Sequence, residues 1–239
     1  MKTPRPHVNS KCWTENTRIL LVVSHWKDDL IWLFEQEVFP YVVAEKLSDD
    51  PICGVPVNLG AEASSYLKFI LNNFRDLPRS VAFLDEHERS WHQPFDMIEK
   101  LSRLDTPSHD AYIPLNDLRI DSEDKHRAWD HDLFKPVWDA VVRPHLEMEC
   151  PARIICDGSS QFLVSRDLIL ARPISLYEDL YRYTVGTKRW PGDEKWRDAR
   201  GYPYRPGGKR GSWKGGVYFL EWIWHIVFGQ PSILYPVRP

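Results

Sequence analysis

Residues 18–24 (RILLVVS) form a short, continuous run of apolar, mostly β-branched side chains. Such a run is the mark of a strand buried on both faces. The next apolar positions, Leu30, Ile31, Leu33 and Phe34 within 28–36, switch to helical spacing. The same switch recurs along the chain. Strands are predicted at 41–44, 55–59 and 80–84 (SVAFL), and helices at 61–75 and 94–104. In 61–75 the residues Ala63, Tyr66, Leu67, Ile70, Leu71 and Phe74 make one apolar face. A helix is predicted at 134–146, then strands at 152–155 and 161–165 around the turn Asp157-Gly158, then helices at 174–185 and 216–228. Strands alternating with helices imply an α/β fold: a single domain with a mostly parallel sheet flanked by helices.

Composition narrows the class. At 239 residues and 43% hydrophobic content the chain can bury a core without staples. Its four cysteines, Cys12, Cys53, Cys150 and Cys156, form no CxxC pair and have no histidine at zinc-finger spacing. They read as reduced, mostly buried thiols. Residues 1–16 are polar and lack the apolar core of a signal peptide. The apolar stretch 217–228 is broken by Glu221 and His225 and is shorter than the ~20 residues of a membrane span. The expectation is a cytoplasmic protein with an N-terminal extension over 1–17 and a catalytic domain over 18–239.

Five constellations can carry chemistry. The first is Asp85-Glu86-His87-Glu88, directly after the strand 80–84 and followed by His92. Ligands of open α/β sheets sit beyond the carboxyl ends of strands. Carboxylates there can hold a divalent metal or pair with a guanidinium; a solvated acidic turn is the bland alternative. The second is Asp28-Asp29 after the first strand. One of the two caps the following helix and the other can face a ligand. The third is Glu221 and His225, four apart and so on one helix face, a general acid/base pair or a structural pair. The fourth is the segment Cys156-Asp157-Gly158-Ser159-Ser160-Gln161, which is no G-x-S-x-G elbow and reads as a turn. Gln161 is a candidate substrate contact.

The fifth is the glycine- and proline-rich loop 187–215. Within it Lys188, Arg189, Lys195, Arg197, Arg200, Arg205, Lys209, Arg210 and Lys214 face only Asp193, Glu194 and Asp198, a local charge of +6. The whole chain carries −3, so the remainder carries −9. Trp190, Trp196, Tyr202, Tyr204 and Trp213 interleave with these cations. Cations alternating with stacking rings suit RNA ends or a nucleoside diphosphate. There is no P-loop, no G-x-G-x-x-G and no H-E-x-x-H.

The segments LLVVSHWKDDLIWL, NLGAEASSYLKFILNNFRDLP, VAFLDEHERSWHQ, SSQFLVSRDLILARPISLYEDLY and FLEWIWHIVFG span nearly the whole chain. In this order they resemble a fungal group catalogued as a domain of unknown function, whose fold is similar to GT-A glycosyltransferases. Two departures stand out: there is no hydrophobic N-terminal anchor, and Asp85-x-His87 is not a D-x-D. The group is also similar to the arginine-containing cyclodipeptide synthases. That resemblance implies a cytoplasmic enzyme that forms cyclo-Arg-Xaa from arginyl-tRNA and a second aminoacyl-tRNA, without a cofactor. It implies that Asp85, Glu86 and Glu88 hold the arginyl group, with Asp28, Asp29 and Gln161 as further substrate contacts. His87, His92 or His225 would move protons beside Glu221, and the basic loop would contact tRNA. The alternative it implies is a GT-A nucleotide-sugar glycosyltransferase, whose carboxylates would bind a divalent metal.

Overall fold

The computed structural model describes residues 10–89, 95–104, 108–123, 131–158, 160–188 and 214–234. The first strand, β1 (Leu20–His25), is flanked in parallel by β2 (Tyr41–Glu45) and β3 (Ser80–Leu84). Two helices join them: the short α1 (Ile31–Glu35) and the longer α2 (Ala61–Asn73). Beyond β3 come α3 (Met97–Ser102), β4 (Tyr112–Pro114) and β5 (Leu118–Asp121). A helical stretch follows as α4 (His131–Val137), a π-helical turn (Trp138–Val142) and α5 (Arg143–Leu146). Then come β6 (Ile155–Gly158), β7 (Phe162–Ser165), α6 (Arg166–Leu170), α7 (Ile174–Thr184) and α8 (Lys214–Val227).

The main sheet has the order β2-β1-β3-β7-β4; β1, β2, β3 and β4 run in one direction and β7 opposes them, so the sheet is mixed with mainly parallel strands. β7 runs antiparallel to both β3 and β4, with Phe83 opposite Phe162. This reversal matters for the site, because the start of β7 lies beside the carboxyl end of β3. The predicted turn at Asp157-Gly158 does not form. Those residues belong to β6, which pairs antiparallel with β5 in a separate two-stranded sheet. The predicted strand at 55–59 is reduced to a single bridge between Val55 and Lys46. Pro56 has no N–H with which to extend the ladder.

Alternation along the strands sorts the core into two layers. Leu20, Val22, Val42, Val81, Phe83, Phe162 and Val164 face one side, against α2, α7 and α8. Leu21, Val23, Val43, Ala82, Leu84 and Leu163 face the other, against Leu33 of α1 and Met97 and Leu101 of α3. Burial on both faces is why these strands read as unbroken apolar runs. The first layer is aromatic: Tyr66 meets Phe83, Phe162 and Trp224 with ring centroids 4.8, 5.9 and 6.4 Å apart.

The helix predicted at 134–146 contains Pro136, and at its π-helical turn the N–H of Arg143 reaches back to the carbonyl of Trp138. Pro144 offers no N–H to the carbonyl of Ala140, so the ladder changes register there. Among the described residues no helix is long and apolar enough to cross a membrane.

Candidate functional site

The parallel strands β1, β2 and β3 end together, and polar side chains gather at that edge. Asp85 follows β3 directly and is only 5% exposed. Its Oδ1 accepts the backbone N–H of His87 at 3.0 Å, and its own N–H donates to Gln161 Oε1 at 3.4 Å. Gln161 is placed there by the antiparallel entry of β7, and its N–H donates to Asn116 Oδ1 at 3.0 Å. Burial pushes the Asp85 carboxyl up to about 6, against the pull of His87. A carboxyl in that range can give or take a proton near neutral pH.

His87 is half-exposed and bridges two acids. Its Nε2 lies 2.8 Å from Asp28 Oδ2 and its Nδ1 lies 3.4 Å from Asp85 Oδ1. The result is a carboxylate–imidazole–carboxylate chain from the buried Asp85 to the surface at Asp28. Asp29 does something else: its Oδ1 accepts the N–H of Ile31 at 2.8 Å and starts α1. The N-cap of α1 is Leu30 and takes no side-chain cap, so Asp29 shapes the turn before the helix rather than capping it, and Asp28 is the one that enters the strand-end group.

Glu86 is a clasp. Its Oε2 accepts the backbone N–H groups of Trp26, Lys27 and Asp28 at 2.6, 3.0 and 3.2 Å, and its carbonyl accepts the Trp32 indole N–H at 3.1 Å. Three charge-assisted bonds from consecutive amides fix the 26–28 loop and so the position of Asp28. Behind the loop, His25 donates from Nδ1 to Glu45 Oε2 at 2.6 Å and from Nε2 to the Asp28 carbonyl at 2.9 Å. With acceptors at both nitrogens its pKa is raised, chiefly by the bond to Glu45. The loops enclose an open pocket of about 550 Å³, lined by Asp28, Asp29, Glu35, Glu86, Glu88, His87 and Arg89 together with Ile31 and Trp32.

An inner group lies toward α2. Lys46, just after β2, is 4% exposed, and its Nζ donates to the Ala61 carbonyl and to Ser64 Oγ. Burial lowers its pKa to about 7, opposed by the charges of Glu62 and Glu86. The turn that offers the Ala61 carbonyl is left-handed at two successive residues, Gly60 (φ 76°) and Ala61 (φ 40°). Ser24 Oγ of β1 and Ser65 Oγ of α2 share a buried hydrogen bond of 2.8 Å. The Tyr66 hydroxyl is wholly buried and has no hydrogen-bond partner among the described residues. Burial, and after it the charges of Glu62, Asp85 and Glu221, hold this phenol well above its usual pKa.

Glu221 and His225 share α8. His225 is buried; burial lowers its pKa to about 4, with the Ser232 carbonyl acting in the opposite sense. Its Nε2 has no partner among the described residues. After burial and the charges of Glu62 and Asp85, Glu221 adds to the charge that holds the Tyr66 phenol up. Lys188 is held on α7, 2.7 Å from Asp179 and over the Tyr183 ring at 5.4 Å. His92, Arg189, Lys195, Arg197, Arg200, Arg205, Lys209 and Arg210 lie outside the described residues, as does the side chain of Lys214.

A family model described as "Protein of unknown function (DUF3431)" matches residues 20–238. The chain belongs to that family. No curated protein and no solved structure matches it. In this DUF3431 chain one donor set could be weighed for a metal. Single ligand atoms of Asp28, Glu86 and His87 lie within 4.8 Å of one another. The set does not fit a divalent cation well. His87 and Asp28 already bond to each other, and Glu86 Oε2 already takes three N–H groups. Binding would require breaking those bonds.

Three contributors escaped the sequence reading. Lys46 sits in a polar stretch after a strand, where a charged residue carries no special signal. Tyr66 was counted in the apolar face of its helix. Glu62 looked like an ordinary first-turn acid.

Proposed function

We propose that this chain is an aminoacyl-transfer enzyme that uses arginyl-tRNA and a second aminoacyl-tRNA to make an arginine-containing cyclodipeptide. The observation that carries the reading is the buried Asp85, linked through His87 to Asp28 at the mouth of an acidic pocket. A guanidinium matches paired carboxylates in charge and in hydrogen-bond geometry. Asp28, Glu35 and Glu88 put carboxylates on the pocket wall, while Glu86 keeps the wall in shape.

The chemistry asks for positioning and proton transfer, because the ester of an aminoacyl-tRNA is already activated. The amine of one aminoacyl group attacks the ester carbonyl carbon of the other. A C–N bond forms, the C–O bond to the ribose breaks, and the ribose hydroxyl leaves with the proton the amine has lost. A second attack of the same kind closes the ring and frees the second tRNA. Asp85 takes the proton from the attacking ammonium, and His87 and Asp28 pass it outward. The basic loop 187–215 supplies the tRNA contact in this reading. A GT-A-like arrangement belongs to the same proposal, supported by a parallel β2-β1-β3 unit with polar residues at its carboxyl edge.

The test is incubation of the pure protein with arginyl-tRNA and mixed aminoacyl-tRNAs, read by mass spectrometry. A cyclo-Arg-Xaa product abolished by ribonuclease supports the proposal, and no product from any arginyl-tRNA mixture refutes it. The second reading, a nucleotide-sugar glycosyltransferase, would need Asp28, Glu86 and His87 to give up their present bonds for a metal. Calorimetry with a nucleoside diphosphate and manganese tests it, and metal-dependent binding is the result that would favour it.

A further inference from the structure

Away from the strand-end group, another set of side chains meets in an order that carries chemistry. Ser175 and Asp179 stand four residues apart on α7, and so on one face of it. His145 of α5 reaches both. Its Nδ1 lies 3.2 Å from Ser175 Oγ, and its Nε2 lies 3.2 Å from Asp179 Oδ2. None of the three lines the acidic pocket.

The directions of these bonds follow from what each group can donate. Burial works against the charge of Asp179, yet bonds from Lys188 and His145 hold its carboxyl below the usual range. An ionised carboxylate only accepts, so the Nε2 that faces Asp179 carries the imidazole proton. Nδ1 of the neutral ring is then the acceptor, and Ser175 is the donor. Lys188 and Arg182 reach the other oxygen of Asp179, Oδ1, at 2.7 and 3.3 Å, and leave Oδ2 to His145. The serine proton is thus aimed at a base whose far side is held by an acid, the relation that activates a serine hydroxyl.

The surroundings suit a nucleophile. Ser175 is exposed, whereas only 13% of the His145 side chain is, so a substrate can reach the hydroxyl while the imidazole stays sheltered. Ser175 is the second residue of α7, which starts without a side-chain cap. The N–H groups of that first turn have no partner within the helix and lie at its positive end. They can stabilise the negative charge that forms on a carbonyl oxygen attacked there. Ile174, its neighbour in sequence, and Leu170, at the end of α6, leave apolar surface exposed.

We propose that Ser175, His145 and Asp179 form a second catalytic site, which hydrolyses accessible esters of small apolar acids through an acyl-serine. Ser175 Oγ attacks the ester carbonyl carbon, and its proton passes to His145 Nδ1. The C–O bond to the alcohol breaks, and the alcohol leaves with that proton. A water then gives a proton to the same nitrogen, its oxygen attacks the acyl-serine, and the acid departs as the proton returns to Ser175 Oγ. Asp179 is a positioning residue that keeps the productive tautomer. This site is independent of the aminoacyl-transfer reading.

Two measurements test it. The wild type is treated with a fluorophosphonate, and mass spectrometry locates the modified peptide. Hydrolysis of p-nitrophenyl acetate and butyrate is followed at pH 7.5. The label should fall on Ser175, and Ser175→Ala should remove both the label and the hydrolysis. His145→Gln should slow both roughly a hundredfold, the lower end of what a positioned base contributes. Asp179→Asn should lower kcat and leave KM, because an amide N–H facing Nε2 favours the wrong tautomer. Labelling of the wild type needs no variant to fold, and melting temperatures check the variants. A label absent from Ser175, or hydrolysis that survives Ser175→Ala, overturns the site. So does a His145→Gln variant that melts lower yet labels at the wild-type rate, the result of a clasp that only ties α5 to α7.

Discussion

Replacing Asp85 by asparagine should stabilise the protein at neutral and alkaline pH and do nothing for it in acid. Burial raises the carboxyl from 3.8 to about 6. The folded state therefore binds this proton more tightly than the unfolded chain does. The corresponding stability is fully present below pH 3.8 and is lost as the pH rises through about 6. A shift of about two units corresponds to about 3 kcal/mol. The asparagine is uncharged at every pH, and its Oδ1 can still accept the His87 N–H now received at 3.0 Å. The variant should thus gain up to about 3 kcal/mol at pH 8, or roughly 6–12 °C in melting temperature for a domain of this size. Urea unfolding of both proteins at pH 4, 5, 6, 7 and 8 measures the gap directly. It should be small at pH 4, about half open at pH 5 and nearly complete by pH 7, because the two states differ in bound protons between 3.8 and about 6. An asparagine variant less stable than wild type at pH 8, or a gap independent of pH, would refute the reasoning. The same variant should lose transfer activity, as expected when strain is kept at a working residue.

Lys46→Met tests the other buried charge. The Lys46 pKa is lowered from 10.5 to about 7, so the wild type should gain about 3 kcal/mol between pH 7 and 9.5; in urea titrations the methionine variant should be flat over that window, and an unchanged slope would sink the assignment. Gly60→Ala should destabilise by several kcal/mol. The residue sits at φ 76°, where a side chain costs ~1–2 kcal/mol, and its Cβ would lie 2.2 Å from Thr184 Cγ2 and 2.8 Å from the Thr184 carbonyl. Thermal melts read the effect, and a loss below 1 kcal/mol would mean the turn relaxes more than its packing allows.

The strands were legible where burial on both faces leaves a mark in one dimension. Residues 18–24 and 80–84 carry enough consecutive apolar side chains to announce β1 and β3, and the strand-end rule then points to Asp85. What was not legible depends on partners distant in sequence. Nothing local tells β6 to pair with β5 rather than fold back on β7, so Asp157-Gly158 looked like a turn. The direction of β7, which sets Gln161 beside Asp85, is hidden for the same reason. The role of Glu86 is invisible because its three N–H donors lie about sixty residues earlier.

The four residues after β3 also show why net charge is a poor guide to a site. In sequence, Asp85-Glu86-His87-Glu88 is a block of three acids and a histidine. In space its members are spent on different tasks. Glu86 takes three backbone N–H groups and shapes the 26–28 loop, while its charge also acts on His25 and Lys46. His87 spans Asp28 and Asp85 and ties the surface to the interior. Glu88 faces the open pocket, where water screens it. Asp85 alone is held in a low-dielectric position, where the charge of Glu62, an acid of α2 that the block does not contain, also raises it. Lys46, held by Ala61 and Ser64 of α2, has a pKa of about 7, one unit from that of Asp85. Two oppositely signed groups that both titrate near neutrality let the interior absorb or release a proton without leaving a large uncompensated charge. That is the electrostatic requirement for deprotonating an ammonium inside a protein.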